Sequence, residues 1–362
     1  MRVTRVLLSL LLLVPAFAVR ASDQALLILL EQRDGALPAG VSASGAVVAG
    51  ALAGLGGFYW MPTTGTVFIG GLGATTVSRD GSTIVGTALD SRNLINAAIW
   101  QRAAEWKVLG SFRPEAADCS RSLSSALDTS RDGRVVVGLA WDGCTISHAF
   151  RWEESTGMVD LGSSVAGRSS LAAGVSADGK VVVGYQEAAT GFRTGAKWTD
   201  GKQELLPGPE GFVGTANAAN VDGTIVVGRT CSGTAVRPGD ANVQSAWVWT
   251  RLNGTRCLPA PRFRPTPGPP VNVGANATSD DGRVIGGEQG IGADDTDAVI
   301  WIDQEPFYLK EYLASHGVPN AFATWINTGA ITDVSPDGRI LVGKGAASGG
   351  FRGYIVILGD RR

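Results

Sequence analysis

The chain has 362 residues, 44% hydrophobic and 18% charged, with 31 Lys and Arg against 33 Asp and Glu. Charge this sparse and balanced excludes a strongly basic nucleic-acid binder and an acidic solvating tail. The 50 Gly and 16 Pro, roughly 18% together against about 12% in average proteins, mark a turn-dense fold, and the apolar fraction is ample for a core.

At the N-terminus, Arg2 and Arg5 precede the apolar run Val6 to Val14 and then the small residues Ala16, Ala18 and Ala21. This pattern predicts a secretory signal over 1–21, cleaved after Ala18 or Ala21. The run is shorter than the ~20 residues that span a bilayer, and no other segment approaches that length. The expected product is an exported chain, 22–362, periplasmic or extracellular, with no transmembrane segment. It begins with a strand-like stretch, QALLILL (24–30).

From residue 41 onward one phrase recurs: Ser, a variable residue, Asp-Gly, a β-branched run and Gly. It reads VSASGAVVAG (41–50), VSRDGSTIVG (77–86), TSRDGRVVVG (129–138), VSADGKVVVG (175–184), ANVDGTIVVG (219–228), TSDDGRVIGG (278–287) and VSPDGRILVG (334–343). A second phrase follows each time, ending in Trp60, Trp100, Trp152, Trp198, Trp249 and Trp301, with Val356 at that place in the seventh unit. Asp-Gly between β-branched runs is a hairpin signal, because Gly supplies positive φ and Asp bonds its own turn. An unbroken Val run suits a strand covered on both faces. Each unit thus offers four short strands, and roughly 48 residues per unit matches a propeller blade.

The pattern predicts an all-β, seven-bladed β-propeller occupying 22–362 as one domain, with a β-helix or solenoid as the alternative. Its units lie near 32–73, 74–110, 124–162, 171–208, 214–260, 273–309 and 325–358. The last lacks a fourth strand, which 24–30 is expected to supply, closing the ring without a free edge. The repeated Trp residues are expected to fill the space between blades.

The residues His148-Ala149-Phe150-Arg151-Trp152, followed by Gly157-Met158-Val159-Asp160-Leu161-Gly162, resemble the HAF-type extracellular repeat. The C-terminal order is also similar to that family: a short helix at 309–317, a strand with Trp325, a VSPDG turn and GYIVIL. The resemblance implies an exported repeat protein and brings no activity, cofactor or catalytic residue with it. Ser44 stands where the family has Asp, and most units lack the His.

Four cysteines in an exported chain read as disulfides, and the close ligand pairs of a zinc site are absent. In a four-stranded meander, the loops after the second and fourth strands share one face. That geometry favours Cys119–Cys144 and Cys231–Cys257.

Neither His148 nor His316 sits in a catalytic motif, and no nucleophile elbow, zinc helix or phosphate loop is present. The repeated Asp residues read as turn formers, and Asp294, Asp295 and Asp297 as a solvated loop, so neither a metal nor a cofactor is expected. Loop length varies at 111–123, 141–147, 186–194, 229–244, 259–275 and 287–296, all after a second or fourth strand and hence on one face. Trp141, read as part of a loop there, and Arg262, Phe263 and Arg264, at the tip of a proline-stiffened loop, are the candidate binding residues. The reading is a non-enzymatic propeller that binds an extracellular glycan or protein; the alternative is a carbohydrate hydrolase or lyase with carboxylates on its loops.

Overall fold

The computed structural model describes residues 24–30, 35–102, 104–113, 121–209, 211–231, 245–261, 272–290 and 295–359. Among them the strands form five four-stranded antiparallel sheets, one eight-stranded sheet and a two-stranded pairing of Pro207–Gly208 with Gly211–Phe212. The eight-stranded sheet is two four-strand units joined by the single pairing of Arg229 with Gly274. Blades 1 to 6 run in chain order over 36–70, 73–110, 124–162, 170–205, 216–257 and 272–308. The seventh combines Trp325–Val334, Ile340–Ala347 and Gly350–Ile357 with the N-terminal strand Leu26–Leu29. The first strand of each unit packs against the first strand of the next, and that of the seventh against that of the first. A ring closed in this way is a β-propeller.

Closure takes the expected form. Leu26 pairs with Ile357 and Leu29 with Tyr354, so the N-terminal strand is the outermost strand of blade 7. The segment 1–21 lies outside the described residues.

The repeated sequence follows from two contacts, seen in blade 4. Gly179 has φ +75°, the left-handed conformation that favours Gly at the hairpin turn. Gly184 closes the Val run for a different reason: a Cβ there would fall on the Leu171 carbonyl oxygen of the first strand. The first strand comes this close because it carries a bulge between Ala172 and Gly174, and every other blade has a bulge at the same place.

The hydrophobic core is divided among the joints. Each of seven clusters draws on two adjacent blades; Trp198, for example, packs on Val135, Val137 and Val175 between blades 3 and 4. Trp152, Trp249 and Trp301 fill the preceding joint of their own blades, and Trp60 and Trp100 pack against the edge of theirs. In blade 7, Val356 stands in the Trp position, and the helix Leu309–Ser315 makes up the missing volume. Its buried Leu309, Tyr312 and Leu313 join Ile331, Tyr354 and Val356 in one cluster.

Candidate functional site

The hairpin turns make one end of the ring. In blade 4 the Ser176 hydroxyl donates to Asp178 (2.6 Å) and accepts the Val181 N–H (3.0 Å). The Asp178 carboxylate in turn accepts the Lys180 N–H. The same set recurs around Asp80, Asp132, Asp281 and Asp337. In blade 1 the Ser44 hydroxyl takes the Ala46 N–H instead. In blade 5 Asn220 replaces the Ser and accepts from Ile225. Burial pushes the Asp80 and Asp178 carboxyls up, but the hydroxyl and N–H donors outweigh it and hold both below the usual carboxylate value. The turns are also laced to one another. Ala43 donates to the Arg79 carbonyl, Asp80 to Arg131, Arg131 to Ala177, Ala177 to Val221 and Asp280 to Pro336. These Asp side chains belong to the scaffold, as turn formers should.

Inside the ring the bulge residues reach across the joints. Thr75 donates to the Ala126 carbonyl, Asn217 to Ala275, Asn276 to Ile331 and Thr332 to Pro38. Two carboxylates make comparable crossings. Asp128 accepts from Val175 of blade 4 (2.8 Å) and from Thr129; Asp333 accepts from Val41 of blade 1 (2.8 Å) and from Val334. They line a narrow axial channel, a cavity of about 80 Å³. Burial in its wall raises Asp128 to about 7 and Asp333 to about 6, against the lowering effect of those N–H donors and of Arg79. Arg79 spans the ring to Asp280 of blade 6 (2.6 Å).

A cleft of about 720 Å³ also opens on the hairpin-turn end, over blades 2 to 4, among Arg131, Arg134, Arg151, Glu153 and Glu154. This is the end opposite the variable loops. Arg151 pairs with Glu153, Arg134 with Asp132 and Lys107 with Glu154.

At the loop end the structure corrects two expectations. Trp141 does not lie in a loop: it is the last residue of the strand Val136–Trp141, paired with Ser147 and half-buried. The pairing runs farther than the sequence suggested because Ile146 closes a tight turn with Asp142. Arg262, Phe263 and Arg264 lie outside the described residues, as do Asp294 and Cys119. Cys231 and Cys257 are joined in a disulfide, with Cα atoms 5.5 Å apart, and Cys144 is disulfide-bonded. Asp297, read as part of a solvated loop, lies instead in the strand Thr296–Ile302 and faces blade 7, where Thr328 donates to it through both N–H and hydroxyl. His148 sits at a strand start, 2.9 Å from the Asp160 carboxylate, and His316 closes the helix, stacked on Tyr312. Among the described residues no group of three or more His, Cys, Asp or Glu is placed to hold a metal.

Sequence reading missed a set of exposed apolar side chains at the loop end of consecutive blades. Ile326 (72% exposed) and Phe351 (47%) stand at strand starts in blade 7, and Leu55 (62%) is in the blade 1 turn. Leu72 lies between blades 1 and 2, and Leu89 ends the second strand of blade 2. Trp141 of blade 3 continues the series. Within blades 1 and 2, and between them, the connections at this end are only a few residues long.

No family model matches the sequence, and no curated protein is similar to it. Solved structures share the fold. The β-propeller domain of the trilobed protease from Pyrococcus furiosus is 14% identical and matches over 94% of this chain and 97% of its own, with a TM-score of 0.55. TolB from Acinetobacter baumannii is 13% identical over 76% of this chain, with a TM-score of 0.46, and the match spans 64% of the TolB chain. An oligogalacturonate lyase from Vibrio parahaemolyticus is 10% identical over 88% of this chain and 76% of its own, with a TM-score of 0.47. The chain is a β-propeller. Likeness at these identities is of fold alone. The Pyrococcus domain is described as having an open velcro topology, whereas here the N-terminal strand pairs with the last.

Proposed function

We propose that this propeller is an exported binding module of the HAF-repeat type, and that it takes its partner on the loop end of the ring. The observation that carries this reading is the apolar series Ile326, Phe351, Leu55, Leu72 and Leu89. Exposed large apolar side chains grouped on one surface mark interaction sites, whereas scattered single ones do not. Export is supported by the signal-like start of the sequence and by the Cys231–Cys257 disulfide, a bond that persists in oxidising compartments. A non-catalytic role is supported by the scaffold roles of the groups that would do chemistry. His148, Asp160 and the turn Asp residues are held in bonds to the scaffold. An apolar surface of this kind fits an extracellular protein, with Trp141 at its margin.

Purified chain screened on peptide and glycan arrays, scored for retention and for turnover, tests the reading. Retention of peptides without turnover is the expected result. Cleavage of a glycan would instead make the protein a carbohydrate-active enzyme.

A further inference from the structure

Blade 1 stands apart from its neighbours in charge. None of residues 35–78 is Asp, Glu, Lys or Arg, so its outermost strand, Gly65–Gly70, has no charge along the edge of its sheet. The outermost strands of blades 2 to 6 each carry at least one charged residue: Lys107, Asp160, Lys202, Arg256 and Glu305. Charges on an edge strand keep a further strand from pairing with it. Those five blades have that safeguard, and blade 1 lacks it.

The side chains beside this edge are apolar and uncovered. Phe68 is 56% exposed. It stands opposite the buried Phe58, and so on the sheet face that packs toward blade 7. Trp60, on the same face, is only partly buried. Across the joint lies the closing strand Leu26–Leu29, which is also uncharged. Its Ile28 packs into the joint, and Leu26, two residues away on the same face, is 52% exposed.

The edge itself specifies the shape of its occupant. Among the described residues no strand pairs with the outer side of Gly65–Gly70. The Trp106 indole of blade 2 donates to the Ile69 carbonyl (2.8 Å). That leaves 65–68 open, as long as the four-residue ladder that Lys202–Leu205 makes in blade 4. Backbone groups in such a row are satisfied by another extended chain. At its loop end the strand runs through Gly71 into Leu72, a member of the exposed apolar series. A segment lying along the edge therefore continues onto the loop-end surface. A second copy of this ring, paired through so short an edge, would bury far less than the about 800 Å² per partner of a stable dimer. The edge suits a flexible segment better than another ring.

We propose that the partner enters as an extended, uncharged segment rich in β-branched and aromatic residues, and that it adds to blade 1 as a fifth strand along 65–68. Its apolar side chains lie against Phe68, in the joint between blades 7 and 1. The inference rests on the loop-end reading and names the kind of partner that surface takes. Main-chain hydrogen bonds hold such a segment, and pockets for alternate side chains select it. A charged segment would find no counter-charge in blade 1 and would lose its hydration against Phe68.

The test uses the full chain and two variants on the peptide array. Phe68→Lys gives blade 1 an edge charge of the kind that blades 2 and 4 carry, at an exposed position. Phe68→Tyr keeps an uncharged strand former there. The parent chain and Phe68→Tyr are expected to retain uncharged peptides rich in Val, Ile, Thr and Phe, and Phe68→Lys to lose them. Proline at the centre of a retained peptide should also abolish retention, because it removes a ladder donor. Amide hydrogen exchange of the parent chain with a retained peptide needs no variant, and exchange at 65–68 should slow on binding. It decides the matter should Phe68→Lys fail to fold or Phe68→Tyr lose the peptides as well. Retention that survives Phe68→Lys or the peptide proline, or exchange unchanged at 65–68, overturns the fifth strand and leaves the loop-end reading standing. A parent chain that retains no peptide removes both.

Discussion

The two ends of the ring are built from the same strands and put to different use. At the hairpin-turn end, Ser176, Asp178 and their equivalents bond their own turn, and neighbouring turns bond one another through the backbone. At the loop end the connections differ in length from blade to blade, and exposed apolar side chains collect over blades 7, 1 and 2. A propeller needs its repeated hydrogen bonds on one side only; once the turns fix the inner strands, the opposite loops are free to vary. Residues whose removal unfolds the ring and residues whose removal abolishes recognition should therefore separate by end.

The largest effect should come from the element that closes the scaffold. Deleting 24–30 removes the buried Ala25 and Leu30 and the half-buried Leu27 and Ile28, and leaves Tyr354 to Ile357 as an open edge. A loss of about 3–5 kcal/mol is expected from the apolar burial, read by denaturant unfolding. An unchanged midpoint would show that the ring does not depend on its seam.

Within the hairpin-turn end, Ser176→Ala removes the acceptor for the Val181 N–H and the donor to Asp178 at a fully buried position. An unsatisfied buried polar group costs about 1–3 kcal/mol, so the midpoint should fall by that equivalent while any loop-end binding persists. Loss of binding in a folded Ser176→Ala protein would break the division of labour.

Acidity sharpens the contrast further, because turn and channel carboxylates respond in opposite senses. The turn residues Asp80, Asp178 and Asp222 are held below the unfolded value of 3.8. Their contribution is present above that value and is lost as pH falls through their depressed folded values. Asp128 and Asp333 are raised to about 7 and about 6. The folded state then binds more protons than the unfolded one between about 4 and about 7, and stability declines as pH rises through that window. Tm should peak on the acid side of neutrality. Asp128→Asn with Asp333→Asn should flatten the decline toward neutral pH and leave the acid limb in place. A decline of the same size in that variant would remove the channel carboxylates from the account.

How much of this was legible in the sequence depends on the range of the interaction. The Asp-Gly turn, the Val run with its Gly and the recurrent Trp are local phrases, so blade, hairpin and joint packing could be read from them. The closing strand was legible because the seventh unit lacks one strand and 24–30 has none to pair with. The bulge was not, since one extra residue in SLAAGV or ATTV carries no mark. Without it, Asp128 and Asp333 look like ordinary strand residues, and the crossings from Thr75 and Asn217 go unseen. The apolar series was hidden for another reason: Leu55, Leu89 and Ile326 are far apart in the chain, and only the ring brings them to one end. Trp141 drew notice by departing from the repeat, but its pairing with Ser147 makes it a strand end.

The measurement that most directly tests the account pairs binding with stability in one variant. Leu55→Ser, Leu72→Ser, Leu89→Ser, Ile326→Ser and Phe351→Ser together change exposed positions, where each substitution costs within about 0.5 kcal/mol. The account predicts a far smaller loss of Tm than closing-strand deletion causes, together with loss of the array signal given by the parent chain. An undiminished signal, with loss instead on Arg131→Ala and Arg134→Ala in the cleft at the hairpin-turn end, would contradict it.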